Sequence, residues 1–305
     1  MCNKDIFIKS PLNYTGGKYK LLPQLTKYFP TDVYLFIDLF CGGCNVGVNI
    51  NAPAIICIDN QTRIIKLQNT FKKYDKDYII DTIKKIIEKN NLSNTAQNGY
   101  SYYNCNSSEG MGSYNKNMFL KMREGYNNRT EDNDYNDVLF FTILIYAFNN
   151  QVRFNKKGQC NIPVGKRDFN DKIRDNLSKF IDTIHTKSIT FESKDFRELN
   201  MYQLPQNSFI YADPPYLITT ATYNEQGGWN EQMEYDLLTL LDSINNKGVR
   251  FALSNLMESK GKTNGILEKW SKKYRVNYLD YNYQNSNYHK RDKSGKEIEV
   301  LITNY

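Results

Sequence analysis

The run Phe209-Ile210-Tyr211-Ala212-Asp213-Pro214-Pro215-Tyr216 decides the reading of this chain. Its first four residues make a short apolar run, the composition of a strand buried in a parallel sheet. Two prolines, which lack N–H donors, then stop the strand. Open α/β sheets bind ligands beyond the carboxyl ends of their strands, so Asp213 falls where chemistry is expected. The loop suits an exocyclic amine. The Asp213 carboxylate and a carbonyl from Pro214 or Pro215 can both accept hydrogen bonds from one NH₂ group. That draws the nitrogen lone pair out of the ring and stabilises positive charge developing on nitrogen. Tyr216 can stack on the face of an extruded base. The plainer reading is a strand-ending turn in which Asp213 caps a helix.

Working outward, the same grammar recurs. Leu35 to Phe40 is an apolar run ending at Cys41-Gly42-Gly43, and Ala54 to Ile58 is a second run ending at Asp59. With a short helix between them these make a βαβ unit. Further strands are expected at Ser188–Phe191, Ser208–Ala212, Val249–Ser254 and Glu297–Thr303. Between the two αβ portions the pattern turns helical from Arg63 to Leu92, with Ile79, Ile83, Ile86 and Ile87 at helical spacing. Residues 93 to 136 are rich in Asn, Ser, Gly and Tyr and read as loop around short helices. Val138 to Phe148 reads as a buried helix and Lys172 to Ile184 as another. Residues 150 to 168, centred on Lys156-Lys157-Gly158, read as a β-hairpin. The expected fold is α/β: a Rossmann-like, doubly wound sheet formed by residues 1–60 and 186–305, interrupted by a helical and hairpin domain at 61–185.

Composition narrows the class. The chain has 305 residues and a net charge of +7, and its isoelectric point near 8.8 suits a polyanionic partner. No run approaches the ~18 apolar residues of a membrane span, and Met1 to Pro11 lacks a secretory signal, so the expected location is the cytoplasm. Cysteines at 2, 41, 44, 57, 105 and 160 do not make a disulfide framework. Cys41 and Cys44 form a Cys-x-x-Cys, but a zinc site wants four ligands, and His185 and His289 are the only histidines. No metal is expected.

Three further elements join the Asp213 loop. Asp38-Leu39-Phe40-Cys41-Gly42-Gly43 places glycines after a strand, where a ligand can approach the backbone closely. Asp59 ends the next strand, where a carboxylate typically grips a ribose diol. Tyr14-Thr15-Gly16-Gly17-Lys18 lies near the start and is too short for a phosphate loop. In this order the four elements resemble the DNA adenine methyltransferases of the Dam type (the D12 class, with its Asp-Pro-Pro-Tyr motif), over nearly the whole chain.

The resemblance implies a site-specific, S-adenosylmethionine-dependent enzyme that methylates N6 of a flipped-out adenine. Asp213, Pro214, Pro215 and Tyr216 would be catalytic. Tyr14, Lys18, Asp38, Phe40, Gly42, Gly43, Asp59, Asp195, Phe196 and Asp213 would hold the cofactor. Arg153-Phe154-Asn155, Gly158 and Asn161-Ile162-Pro163-Val164-Gly165 resemble the family's target-recognition hairpin. Arg153 would read guanine in a GATC or related site through a bidentate pair, and its plainer role is to clamp a phosphate. Pro163 would line base edges. Gln151 stands where the GATC enzymes commonly carry an apolar residue, so the site read differs or is longer. Asn155 joins this DNA-binding set, and Lys290 and Arg291 would contact phosphates. The expected partners are double-stranded DNA and a cognate restriction endonuclease, with the chain a monomer. Other readings stay open: transfer to cytosine N4 or to a protein glutamine amide, or a catalytically silent DNA-binding module. A nicotinamide dehydrogenase is disfavoured, because Gly-x-Gly-x-x-Gly is missing.

Overall fold

The computed structural model describes residues 7–14, 16–219, 228–280 and 297–305. Lys290 and Arg291 lie outside the described residues. The chain divides into two units, one of Lys18–Asn60 with Glu192–Tyr305, the other of Met1–Gly17 with Gln61–Phe191.

The first unit is built on a mostly parallel sheet. Its strands are β1 (Leu35–Asp38), β2 (Ala54–Asp59), β3 (Ile189–Ser193, which straddles the division), β4 (Ser208–Ala212), β5 (Arg250–Ser259), β6 (Lys262–Thr263), β7 (Arg275–Leu279) and β8 (Glu297–Thr303). The order is β3-β2-β1-β4-β5-β8-β7, with β6 paired to β5. β1 and β4 are buried along their whole length, which is why both read as continuous apolar runs. The chain leaves β1 for β2 on one side and returns to β4 on the other. That reversal is a topological switch point, where a crevice opens at the strands' carboxyl ends. The register sets Asp38 beside Tyr211, two residues before Asp213. β8 runs antiparallel to β5, so its first residues share the edge where β5 ends.

Among the described residues this unit has α1 (Leu22–Tyr28), α8 (Glu231–Asn246) and α9 (Gly265–Ser271). Leu237, Leu241 and Ile244 of α8 and Leu267 of α9 join Ile37, Ile210, Phe251 and Ile302 in one apolar cluster. Phe29, Phe36, Phe209 and Tyr211 form a second layer, with ring centroids 5.0 to 6.4 Å apart.

The second unit is helical: α2 (Thr62–Lys73), α3 (Lys76–Lys89), α4 (Thr95–Asn98), α5 (Gly112–Asn127), α6 (Asp134–Tyr146) and α7 (Asp171–Thr186). α6 is buried almost all round. Phe71 of α2 meets Phe141 of α6 at 5.2 Å and Phe180 of α7 at 6.4 Å. The single helical stretch expected from 63 to 92 is two helices. Asp75 breaks it: extended, its carboxylate accepts from Tyr78 N–H and caps α3. Residues 93 to 136 hold α4 and α5, because their polar side chains bond one another inside. Asn115 bonds Ser93, while Asp168 accepts from Ser93 and Thr95.

The hairpin expected at 150–168 needs correction. Its turn is present, with Asn155 N–H on Gln159 O and an isolated bridge between Phe154 and Cys160, but no two-stranded ladder forms. Asn149 and Asn150 adopt positive φ at its entry, and Pro163 has no N–H to donate. No helix among the described residues is long and apolar enough to cross a membrane.

Candidate active site

The strand β4 delivers Asp213 to the switch point, and the two prolines carry the chain on to Tyr216. Tyr216 O then accepts from Thr219 N–H at 3.1 Å and from Thr219 Oγ1 at 2.9 Å, closing a tight turn. Lys18, in a 3₁₀ turn over Lys18–Leu21, is buried and places Nζ 2.8 Å from Asp213 Oδ1 and 3.7 Å from Glu299 Oε1. Tyr216 Oη lies 3.2 Å from Asp213 Oδ1 and 3.1 Å from Glu299 Oε1. Both bonds of Asp213 therefore use Oδ1, and Oδ2 makes none among the described residues. Burial pushes the Asp213 carboxyl up to about 6; Lys18 opposes that rise and the Glu299 charge adds to it. An uncommitted carboxylate oxygen at the crevice can accept from an amine while its sibling is held rigid.

The glycine loop follows β1. Gly42 takes a φ of +47° and donates its N–H to Asp59 Oδ2 at 2.8 Å, while Asp38 Oδ2 accepts from Gly47 N–H at 3.0 Å. Burial raises Asp38 to about 8, against the Gly47 bond, and the charges of Asp213 and Asp59 add to the rise. Gly43 is buried in the same turn. Cys41, Cys44 and Cys57 are buried thiols beneath it, with Cys44 Sγ 3.5 Å from Cys57 Sγ.

Phe40, partly exposed, meets Phe196 at 5.4 Å and Trp229 at 5.6 Å, and Phe196 meets Trp229 at 5.5 Å. Trp229, which stands where the sequence departs from the family's pattern after the Asp213 loop, is not among the expected site residues. Its Nε1 donates to the buried carboxylate of Glu234, which also accepts from Asn255 and Asn264. Asp195 caps a 3₁₀ turn and pairs with Arg197, whose hydrogen bond holds the carboxyl below the usual range. Its Oδ1 and Oδ2 are thus engaged locally. The same edge has a cavity of about 580 Å³ lined by Leu217, Ile218, Thr219, Tyr235, Lys262 and Asn264, among others.

Tyr14 and the recognition residues fall in the other unit. Tyr14 O accepts from Gly17 N–H at 3.1 Å. Arg153 is exposed, and its guanidinium makes no hydrogen bond or ion pair among the described residues. Lys156, Lys157, Pro163, Lys166 and Arg167 are exposed nearby in sequence. Gln151 forms a parallel bridge with Asn13. Asn155 is spent on the turn itself, accepting from Lys157 N–H and Gln159 N–H. Arg63 stacks on Phe154 and donates to Gly158 O, bracing the turn.

Comparison with known proteins identifies the family. A family model described as D12 class N6 adenine-specific DNA methyltransferase matches residues 14–294. The type II methyltransferase M.FokI of Planomicrobium okeanokoites is 39% identical over 98% of the chain, and the modification methylase StsI of Streptococcus sanguinis 38% over 98%. The chain spans 43% of each of those relatives. A DNA adenine methylase of Serratia marcescens is 26% identical, covering 70% of the chain and 68% of its own length. The match runs from the Lys18 segment through the Asp213 loop, and on it this chain belongs to the D12 class of N6 adenine-specific DNA methyltransferases.

Proposed function

We propose that this chain transfers the methyl group of S-adenosylmethionine to N6 of an adenine flipped out of duplex DNA. The observation that carries the reading is Asp213: Oδ1 is held by Lys18 and Tyr216, and Oδ2 is uncommitted at the switch point. The residues present fit the cofactor. Asp59 and Asp213 offer carboxylates that suit a sulfonium cation, Gly42 admits a close backbone approach, and Phe40, Phe196 and Trp229 offer aromatic faces. When bound, S-adenosylmethionine supplies an electrophilic methyl group.

The chain's own residues do the rest. Asp213 Oδ2 and a carbonyl of Pro214 or Pro215 accept the N6 hydrogens and turn the lone pair toward the methyl group. As the N–C bond forms and the methyl–sulfur bond breaks to leave a neutral thioether, the same oxygens stabilise the charge arriving on nitrogen, and Asp213 Oδ2 can pass the surplus N6 proton to water. Tyr216 stacks on the extruded ring, and holding both reactants in line removes much of the entropic barrier. The cavity beside Leu217–Thr219 supports room for a base or its neighbour.

In this reading residues 1–60 and 186–305 form the catalytic domain and 61–185 the target-recognition domain. Arg153, exposed and without a hydrogen bond or ion pair among the described residues, reads guanine or grips phosphate in a GATC or related site, with Gln151 and Pro163 beside the bases. The partner is double-stranded DNA. Kinship to a type II methyltransferase and a modification methylase supports a companion restriction endonuclease sharing the site. One copy of the chain suffices. Asp213→Ala tests the reading: turnover should fall on the order of 10²–10³-fold or more, with DNA affinity retained. Turnover that survives the substitution contradicts it.

A further inference from the structure

Glu299 was not among the expected site residues, yet it sits at the centre of the site. It lies on β8, opposite Leu256 of β5 and Leu279 of β7, and its side chain is only 1% exposed. A carboxylate that deep is costly unless partnered. Its partners are Lys18 Nζ at 3.7 Å and Tyr216 Oη at 3.1 Å, the same two groups that hold Asp213 Oδ1.

From this arrangement we infer that Glu299 is a positioning residue for methyl transfer, fixing Lys18 and Tyr216 from the buried side so that Asp213 presents Oδ2 to the amine. The inference rests on the proposed adenine reaction.

Two physical arguments carry it. The first is charge. One ammonium faces two carboxylates, so Lys18 does not neutralise the cluster, and Asp213 keeps negative charge for the cation developing on nitrogen. With Glu299 neutral, Lys18 would face one carboxylate fewer and offset more of the charge on Asp213. The second is geometry. Tyr216 carries one phenolic proton between two carboxylate oxygens at nearly equal distance, and Lys18 Nζ lies 5.0 Å from the centroid of its ring. Removing Glu299 takes from Tyr216 one of its two carboxylate anchors and loosens the hold on the face on which the base would stack.

The experiment is steady-state methyl transfer and equilibrium binding on the full chain carrying Glu299→Gln, an isosteric change. Turnover should fall roughly ten- to a hundredfold, while DNA affinity and S-adenosylmethionine affinity stay within about threefold of wild type. The acid limb of kcat/KM is a second readout. The titratable groups facing Asp213 are Lys18, Tyr216, Glu299, Tyr211 and Asp38. Removing the charge of Glu299 alone takes away one cause of the raised Asp213 value, so the limb moves to lower pH. Glu299→Asp keeps the charge and should keep the wild-type limb with part of the turnover, and it decides the matter if the Gln variant fails to fold. Unchanged turnover in either variant, or reduced turnover with an unshifted limb in Glu299→Gln, overturns the inference. Wild-type activity is the control: if wild type methylates adenine and the Glu299 variants match it, only Glu299 is wrong. If wild type methylates no adenine, the proposed reaction fails and this inference falls with it.

Discussion

Asp38 shows how burial sets the behaviour of a single carboxyl. It is 1% exposed and accepts one backbone hydrogen bond, and desolvation outweighs that bond, so it titrates at about 8. An unfolded chain would release that proton near pH 4. The folded state therefore binds a proton that the unfolded state does not, across the window between those values. Stability from this group is full below about pH 4 and is lost as the pH rises toward 8. Asp38→Asn cannot titrate and can still accept from Gly47. Its melting temperature should decline less than that of wild type between pH 5 and 8 in paired melts. Parallel curves would show that Asp38 is already ionised at neutral pH.

The loop after β1 is the element most tightly constrained by its neighbours. A Cβ on Gly47 would lie 2.5 Å from Cys57 Sγ, 3.2 Å from Cys44 Sγ and 3.4 Å from Asp38 Oδ2, all buried groups with little room to yield. Gly47→Ala should cost about 1–3 kcal/mol by overpacking, read as a lowered melting temperature. Adding Cys57→Ala removes the nearest atom and should recover part of the loss; no recovery would place the strain elsewhere. The sequence legibly marks elements of this kind where composition alone decides them. β1 and β4 read correctly because burial on both faces leaves an unbroken apolar run, and β2 and β8 because apolar stretches at residues 54–58 and 300–302 stand out within them. β7 is hidden because Arg-Val-Asn-Tyr-Leu mixes polar and apolar residues, and α5 is legible only around Met118-Phe119-Leu120, because Asn115 looks like loop until its bonds to Ser93 are seen. Glu299 was hidden for a related reason. A glutamate within Glu-Ile-Glu-Val-Leu-Ile-Thr looks solvent-facing, and only the pairing of β8 with β5 and β7 turns it inward.

At the scale of the whole molecule the chain's two units divide its residues by character. The sheet unit gathers carboxyl groups at a switch point, with Asp213 and Glu299 on Lys18 and with Asp38 near Asp59 and Asp213. The helical unit carries the exposed basic run from Arg153 to Arg167. Carboxylates for a cationic donor and a basic surface for a polyanion are the charges that the proposed reaction needs. The most direct test is transfer of labelled methyl from S-adenosylmethionine to unmethylated genomic DNA, followed by single-molecule sequencing for N6-methyladenine. The account predicts label in DNA and one short motif modified throughout, at adenine and nowhere else. Cofactor binding without any modified adenine would contradict it.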